Sequence, residues 1–446
     1  MDVPENQAFE FGDFVLIPKE RLLLAASKPV HLTAKAFDLL VILVRRWGHL
    51  VSKDELLREV WPDTLVEEVN LTVNISALRK ALGQGHNGKG MIQTVPTRGY
   101  RFVAPVTTGD AALVGAFRED PTGKAVERVP DAYRAYLQGR FHWNRRSEEG
   151  LKHGAEWFQR AVEIDPRFAA AHSGLADCYA TLGYLSYLSP AEAFPAARRH
   201  ATKALELDAS LAEAYASMAF VKLYFDWDWP GANTEFQRAI MLDPNYAPTH
   251  QWYSIYLLAA GRAFEAFREI QLARQRDSLS LPINSDLGFH YYYTGRYDEA
   301  VKQLQFVLEM NKDFAPAHLW LGRTYQELGR FDDALAEFRK VEARLREWPV
   351  SIAARGFVAG AAGRAEEALE ILAELKSLAG RKFVTPYGVA LVYAGLGEND
   401  AAFVWLNKAF EERSHWLVWL RLDPRWNGLR PDPRFAELVS RMRFPH

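Results

Sequence analysis

Residues 315–341 read APAHLWLGRTYQELGRFDDALAEFRKV, and the spacing of a few marks in that stretch decides most of the fold. Gly329 separates two helix-forming runs, Ala334 lies early in the second run, and Phe338 follows that alanine by four. The same marks recur outward with a period of 34 residues. Glycines stand at 261, 295, 329, 363 and 397, and alanines at 232, 266, 300, 334, 368 and 402. A large apolar residue follows each alanine by four, at Phe236, Ile270, Leu304, Phe338, Leu372 and Leu406. Glycine is only 29 of 446 residues, so five in one preset register mark a structural repeat. The glycine permits a tight turn between antiparallel helices, the alanine lets the helices approach, and the larger residue fills the gap beside it.

These marks resemble the tetratricopeptide repeat, in which Leu321, Gly322, Tyr325, Ala334 and Phe338 occupy signature places. Less regular units appear upstream in AVEIDP at 161–166, GLADCYATLG at 174–183, ALELD at 204–208 and AIMLDP at 239–244. Insertions fall at YLSYLSPAEAFP and FDWDWPG. The resemblance implies about seven or eight helix pairs over residues 131–414, with 415–446 as a terminal cap, stacked into a solenoid with a concave face for partners. In such repeats the ninth residue of each first helix tends toward that face, which places Ile255, Phe289, Arg323, Phe357 and Leu391 in a partner groove. These positions lack the Lys and Asn of peptide-carboxylate clamps, so a mostly apolar groove is implied. Its uses remain open: a protein, peptide or effector site, a dock for the winged helix or a second copy of the chain, or simple packing between helices. The cluster of Trp252, Tyr253 and Tyr256 with His290, Tyr291, Tyr292 and Tyr293 reads mainly as adjacent-helix packing.

Upstream of the repeats the pattern changes. Phe9, Phe11, Phe14 and Leu16 alternate with polar residues and Leu22 to Leu24 follows, which predicts short strands turned at Gly12 and Pro18. Thr33 caps AKAFDLLVILVRRWG, an amphipathic helix with Phe37, Leu40, Val41 and Val44 on one face and Gly48 as its stop. Ser52 and Glu55 form a capping box for KDELLREVW, which Pro62 ends. After the loop PDTLVEE, VNLTVNISALRKALG sets Leu71, Ile75, Leu78 and Leu82 on one stripe, with Thr72, Asn74, Ser76, Arg79 and Lys80 opposite. MIQTVPTRGYRFV then alternates like a hairpin with Arg98 at its tip and Arg101 beyond. From Val69 to Val106 the charged residues are Arg79, Lys80, Lys89, Arg98 and Arg101, without an Asp or Glu. A helix with small polar residues in the middle and cations near its end suits a DNA major groove.

Together LTAKAFDLLVILV, SKDELLREVW, VNISALRKAL and IQTVPTRGYRF resemble the OmpR/PhoB-type winged-helix domain over residues 8–106. The resemblance implies that the third helix reads the major groove, the hairpin wing reaches an adjacent minor groove, and the loop before the third helix touches RNA polymerase. Thr72, Val73, Asn74, Ser76 and Ala77 would then face the bases, and Arg79, Lys80 and Arg98 would mostly meet phosphate. Thr97 and Arg101 complete the wing's share of the site. Two departures stand out: several members carry arginines where Ser76 and Ala77 stand, and many carry one near Thr97. Sequence preference is therefore expected to lean on Asn74 and on DNA shape, with a homodimer compensating for modest single-domain affinity.

The expected fold is mainly α, an N-terminal α+β winged helix-turn-helix followed by an α-helical tetratricopeptide-repeat solenoid, with residues 107–130 as a linker. The arrangement resembles CadC/HilA-like transcription regulators. A formal net charge of -2 excludes a protein that coats nucleic acid along its whole length, so DNA contact is confined to the local basic patch. The one cysteine, Cys178, cannot form an internal disulfide or a thiolate cage and reads as a small buried apolar residue. There is no basic leader with an apolar stretch behind it, and no apolar run near the roughly 20 residues of a membrane helix. A cytoplasmic location and no membrane partner are expected. Phosphate-loop, HExxH, GxSxG and dinucleotide motifs are absent, and the pairs Asp226/Asp228 and Asp332/Asp333 fall at turns, so no catalytic residue, cofactor or metal is expected.

The leading expectation is a sequence-specific DNA-binding transcription regulator that lacks a receiver domain. Its partners would be double-stranded DNA, RNA polymerase, a protein or peptide on the repeats, and a second copy of itself. The alternative is a tetratricopeptide scaffold or adaptor whose winged helix is a protein-interaction surface.

Overall fold

The computed structural model describes residues 7–18, 21–25, 28–30, 32–61, 68–83, 90–110, 131–143 and 146–445. The loop at 62–67, Lys89 and most of the expected linker, 111–130, lie outside the described residues. The chain divides into two compact units, Met1–Gln138 and Gly139–His446.

In the first unit, β1 (Gln7–Phe11), β2 (Phe14–Ile17), β3 (Leu22–Ala25) and β4 (Lys28–Pro29) form an antiparallel meander. Gly12, at a φ of 55°, makes the first turn. Three helices follow, α1 (Ala34–Arg45), α2 (Lys53–Val60) and α3 (Glu68–Ala81), with a short strand β5 (Leu50–Ser52) between the first two. Their starts obey local chemistry. The Thr33 hydroxyl accepts from the Ala36 amide at 3.2 Å, and Ser52 and Glu55 form both halves of a capping box. The stripe Leu71, Ile75, Leu78 and Leu82 is buried, as its helical spacing requires.

The wing strands β6 (Ile92–Val95) and β7 (Gly99–Phe102) close on β5 in the order β5-β7-β6. Gly99 permits that closure, since a Cβ there would lie 2.1 Å from the Val51 carbonyl oxygen. Thr107–Asp110, assigned to the linker on sequence grounds, instead forms strand β8 against β1. A pairing between residues so far apart leaves no local signature, which explains the difference.

The second unit is built from paired antiparallel helices, from Ala169–Tyr184 with Pro190–Leu207 to Pro386–Gly395 with Asn399–Glu411. The five periodic glycines all adopt left-handed φ values between 72° and 83°, the conformation their turns need. The six periodic alanines are fully buried. Inside a pair the contact is tight, and a Cβ on Gly322 would sit 2.5 Å from the Phe338 ring. One apolar place shifts: Leu372 is half-buried, while Ile371 is the residue that packs against Gly356. The FDWDWPG insertion is absorbed by a π-helical turn, Lys222–Asp226, ending at Trp227 with a φ of 55°.

The solenoid curls until its ends meet. The Trp348 indole donates to the Leu185 carbonyl at 2.9 Å, and Lys382 pairs with Glu148 at 3.7 Å. Beyond Ser414 the chain turns back along the inner face through two 3-10 turns, His415–Trp419 and Pro424–Trp426, and a last helix, Pro433–Arg441. Its indoles at 416, 419 and 426 are buried.

Candidate nucleic-acid interface

Helix α3 buries one stripe and turns Thr72, Val73, Ser76, Ala77 and Lys80 outward. Val73 is 44% exposed, so its methyl groups are open to solvent. The hydroxyls of Thr72 and Ser76 donate back to the carbonyls of Glu68 and Thr72, at 3.0 and 2.9 Å, and keep their lone pairs outward. Arg98 is exposed at the wing tip, next to Thr97, which is also exposed and holds a left-handed φ of 62°. The Arg98 carbonyl accepts from the Lys53 amide at 3.1 Å, which anchors the tip on the start of α2. Arg101 on β7 is half-buried. Lys53 is ion-paired to Glu68, whose hydrogen bond holds the ammonium above its ordinary range.

Two of the expected contact residues are engaged within the domain. Asn74 is only 4% exposed: its amide donates to the Asn70 carbonyl at 2.9 Å, and its oxygen faces the Thr33 hydroxyl at 3.5 Å. It fastens α3 to the N-cap of α1 and lies off the exposed face of the helix. Arg79 is half-buried and folds onto the wing, donating to the Ile92 carbonyl at 3.0 Å and to the Thr94 hydroxyl at 2.6 Å. Its charge lies close to the surface, but its hydrogen-bonding edge is engaged within the protein.

The five expected groove residues are likewise not an open surface: Ile255, Phe289, Arg323, Phe357 and Leu391 are all buried. The chain's own C-terminal segment covers the middle of the series. Trp419 meets Phe289 edge-on at 4.8 Å, and the Arg323 guanidinium lies over the rings of Trp320 at 4.5 Å and Trp416 at 5.0 Å. A buried polar knot fixes this segment. The Tyr387 hydroxyl donates to Asp423 at 2.8 Å and accepts from the Trp426 indole at 2.7 Å, while Arg425 pairs with Asp423 at 2.6 Å. Burial opposes the Asp423 charge, but Arg425 and the hydrogen bonds outweigh it and hold the carboxyl below its usual range. These residues were missed in the sequence, where the only signal was the density of tryptophan in HWLVWLRLDPRW. The remaining aromatic cluster packs between helices, with Phe236 against Tyr253 at 5.5 Å, Phe267 against Tyr291 at 5.3 Å and Tyr292 against Trp320 at 5.5 Å.

Cys178 is fully buried, and burial pushes its thiol well above the ordinary value, which makes it a packing residue. Among the described residues no group of three or more His, Cys, Asp or Glu side chains is placed to hold a metal ion. No described helix is long and apolar enough to cross a membrane.

A family model described as "Transcriptional regulatory protein, C terminal" matches residues 27–102, and a tetratricopeptide-repeat model matches residues 291–351. Both are non-catalytic folds. The chain carries an OmpR/PhoB-type winged-helix DNA-binding domain fused to tetratricopeptide repeats, and in this it matches CadC/HilA-like regulators. It is 22% identical over 413 residues to the transcriptional regulator HilA of Salmonella typhimurium, covering 65% of this chain and 74% of that protein. Over 96 residues it is 32% identical to the transcriptional activator CadC of Escherichia coli, covering 21% of this chain and 19% of that protein. The solved DNA-binding domain of E. coli CadC is 31% identical to it, covers 22% of this chain and 94% of its own, and gives a TM-score of 0.21.

Proposed function

We propose that this chain is a sequence-specific DNA-binding transcription regulator whose solenoid serves as its partner-binding, effector or assembly module. The observation that carries the reading is the outward surface of α3 and the wing. Thr72, Val73, Ser76 and Ala77 form a small-residue face flanked by Lys80 and Arg98, within a stretch from Val69 to Val106 that has no acidic residue. In the major groove such a face offers methyl groups to thymine and hydroxyls to base edges, while the two cations meet phosphate. The loop ahead of α3 is the natural contact for RNA polymerase. With no outward arginine on α3 to grip guanine, one domain binds modestly, and a second copy linked through the repeats raises the effective concentration of the pair.

The test is duplex binding by the full chain at increasing salt. Affinity should fall linearly on a log-log plot, with a slope of about -0.9 for each phosphate neutralised, and Lys80→Ala and Arg98→Ala should each make it shallower. Absence of salt-dependent duplex binding would sink this reading and favour a scaffold in which the winged helix contacts protein.

A further inference from the structure

The inner face of the solenoid, in front of the C-terminal segment, holds a cavity of about 70 Å3. Its walls are aromatic, with Trp252, Trp320, Trp348 and Trp416 among them, and polar side chains interrupt them, including Arg146, Thr181, Gln251, Ser285 and Asp286. Arg146 is held in place by its neighbours: its guanidinium lies 3.6 Å from the centre of the Trp143 ring and donates at 3.2 Å to the hydroxyl of Thr181, which also lines the cavity. Asp286 is positioned by Gln251, whose amide donates to it at 2.6 Å. The cation and the carboxylate line one cavity, yet they form no ion pair with each other.

Polar atoms in this cavity are also left over. Ser285 is 2% exposed and its hydroxyl has no hydrogen-bond partner among the described residues, and the same holds for Nε of Arg146. A buried donor without a partner costs about 1–3 kcal/mol, and a ligand that satisfies these two atoms would remove that cost. Burial also works against both charges, lowering the Arg146 guanidinium to about 10 and raising the Asp286 carboxyl to about 7.

We infer that this cavity is a receptor site for a small α-amino acid, its carboxylate held by Arg146 and its ammonium by Asp286, with Ser285 completing the hydrogen bonds. Size favours a small ligand: at about 10–15 Å3 for each water, the cavity holds on the order of five to seven water-sized groups, so glycine, alanine and serine are the first candidates. Charge narrows it further, since a molecule bearing both signs can meet both the guanidinium and the carboxylate. The inference supplies an effector class for the proposed regulator and rests on that reading only for its regulatory meaning.

The experiment is titration calorimetry on the full chain, without DNA, using glycine, alanine and serine, with acetate and ethylamine as probes carrying one charge each. At least one of the three amino acids should bind one per chain, and acetate and ethylamine about tenfold or more weakly. Arg146→Gln and Asp286→Asn should each weaken the amino acid by about tenfold, and Ser285→Ala by several-fold, with the far-ultraviolet circular dichroism spectrum retained. No heat from any of the three amino acids, acetate binding as tight as theirs, or affinity unchanged in Ser285→Ala together with either charge variant would overturn the inference. A duplex-binding measurement on the same protein fails or succeeds independently, which separates this site from the DNA-binding reading.

Discussion

Arg79 of α3 and Thr94 of β6 are joined by a hydrogen bond of 2.6 Å, and the same guanidinium reaches the Ile92 carbonyl at 3.0 Å. The helix and the wing are therefore braced against each other by a cation that, from sequence, should meet phosphate. Arg79→Ala is expected to lower the stability of the domain by about 1–2 kcal/mol, because the Ile92 carbonyl loses a charged donor. Lys80→Ala and Arg98→Ala should leave the melting temperature in place and reduce the salt dependence of duplex binding by about one phosphate each. Melting curves beside salt titrations check this; an unchanged melting temperature for Arg79→Ala would contradict the bracing role.

Asn74 and Val73 are neighbours with opposite expectations. Asn74→Ala should cost about 1–2 kcal/mol of stability and leave base preference unchanged, since its amide bonds inward to Asn70. Val73→Ser or Ala77→Ser should instead weaken discrimination in favour of thymine by about 1 kcal/mol per base step at unchanged stability. Selection of bound duplexes with each variant is the measurement, and a base preference that moves with Asn74 alone would reverse the assignment.

Two glycines separate close approach from turn geometry. Gly99→Ala forces a Cβ to 2.1 Å from the Val51 oxygen and should break the β5–β7 pairing, with loss of the cooperative melt of the first unit. Gly329→Ala meets nothing within 4 Å and is strained only by its φ of 72°, so about 1 kcal/mol is expected. Differential scanning calorimetry of the full chain resolves the two; equal effects would show that backbone strain dominates both sites.

Trp419 stacks on Tyr293 at 4.7 Å and is fully buried. Trp419→Ala should cost about 3–5 kcal/mol, and ending the chain after Ser414 should cost more and expose the inner apolar face. Dye binding by hydrophobic probes should then rise. A truncated chain that melts like the intact one would mean that the segment merely lies on the groove.

Glu327 carries a pH signature. Burial, assisted by the nearby Asp423 charge and opposed by the Gln326 hydrogen bond and by Arg425, raises its carboxyl from 4.5 to about 7. The folded state therefore holds a proton between these values that the unfolded state releases. The stability this proton confers is fully present below 4.5 and is lost as pH rises to about 7. Glu327→Gln removes the titration, so its melting temperature should gain on that of the parent from about pH 5 to about pH 8. A constant difference over that range would show that Glu327 is charged throughout.

The architecture was legible because its signals are local. A glycine that must turn left-handed, an alanine that must be small, Thr33 and Ser52 as caps, and the stripe from Leu71 to Leu82 each follow from constraints spanning a few residues. The outward face of α3 was legible for the same reason, but only as a face. Asn74 stands between Val73 and Ile75, near the edge where the exposed and buried sides meet, and helical spacing alone does not say which way such a residue turns.

By itself, then, the sequence determined the helix periods, the repeat, the caps and the acid-free basic patch, since each depends on residues within about one repeat of one another. The tertiary structure alone decided that β8 returns to β1, that Arg79 closes on the wing, and that the segment after Ser414 fills the groove its own repeats create. Those outcomes depend on pairs such as Trp419 with Tyr293 and Trp426 with Tyr387, whose meeting is set by how far the solenoid curls. Curvature accumulates from small rotations at every interface and leaves no mark at any single position.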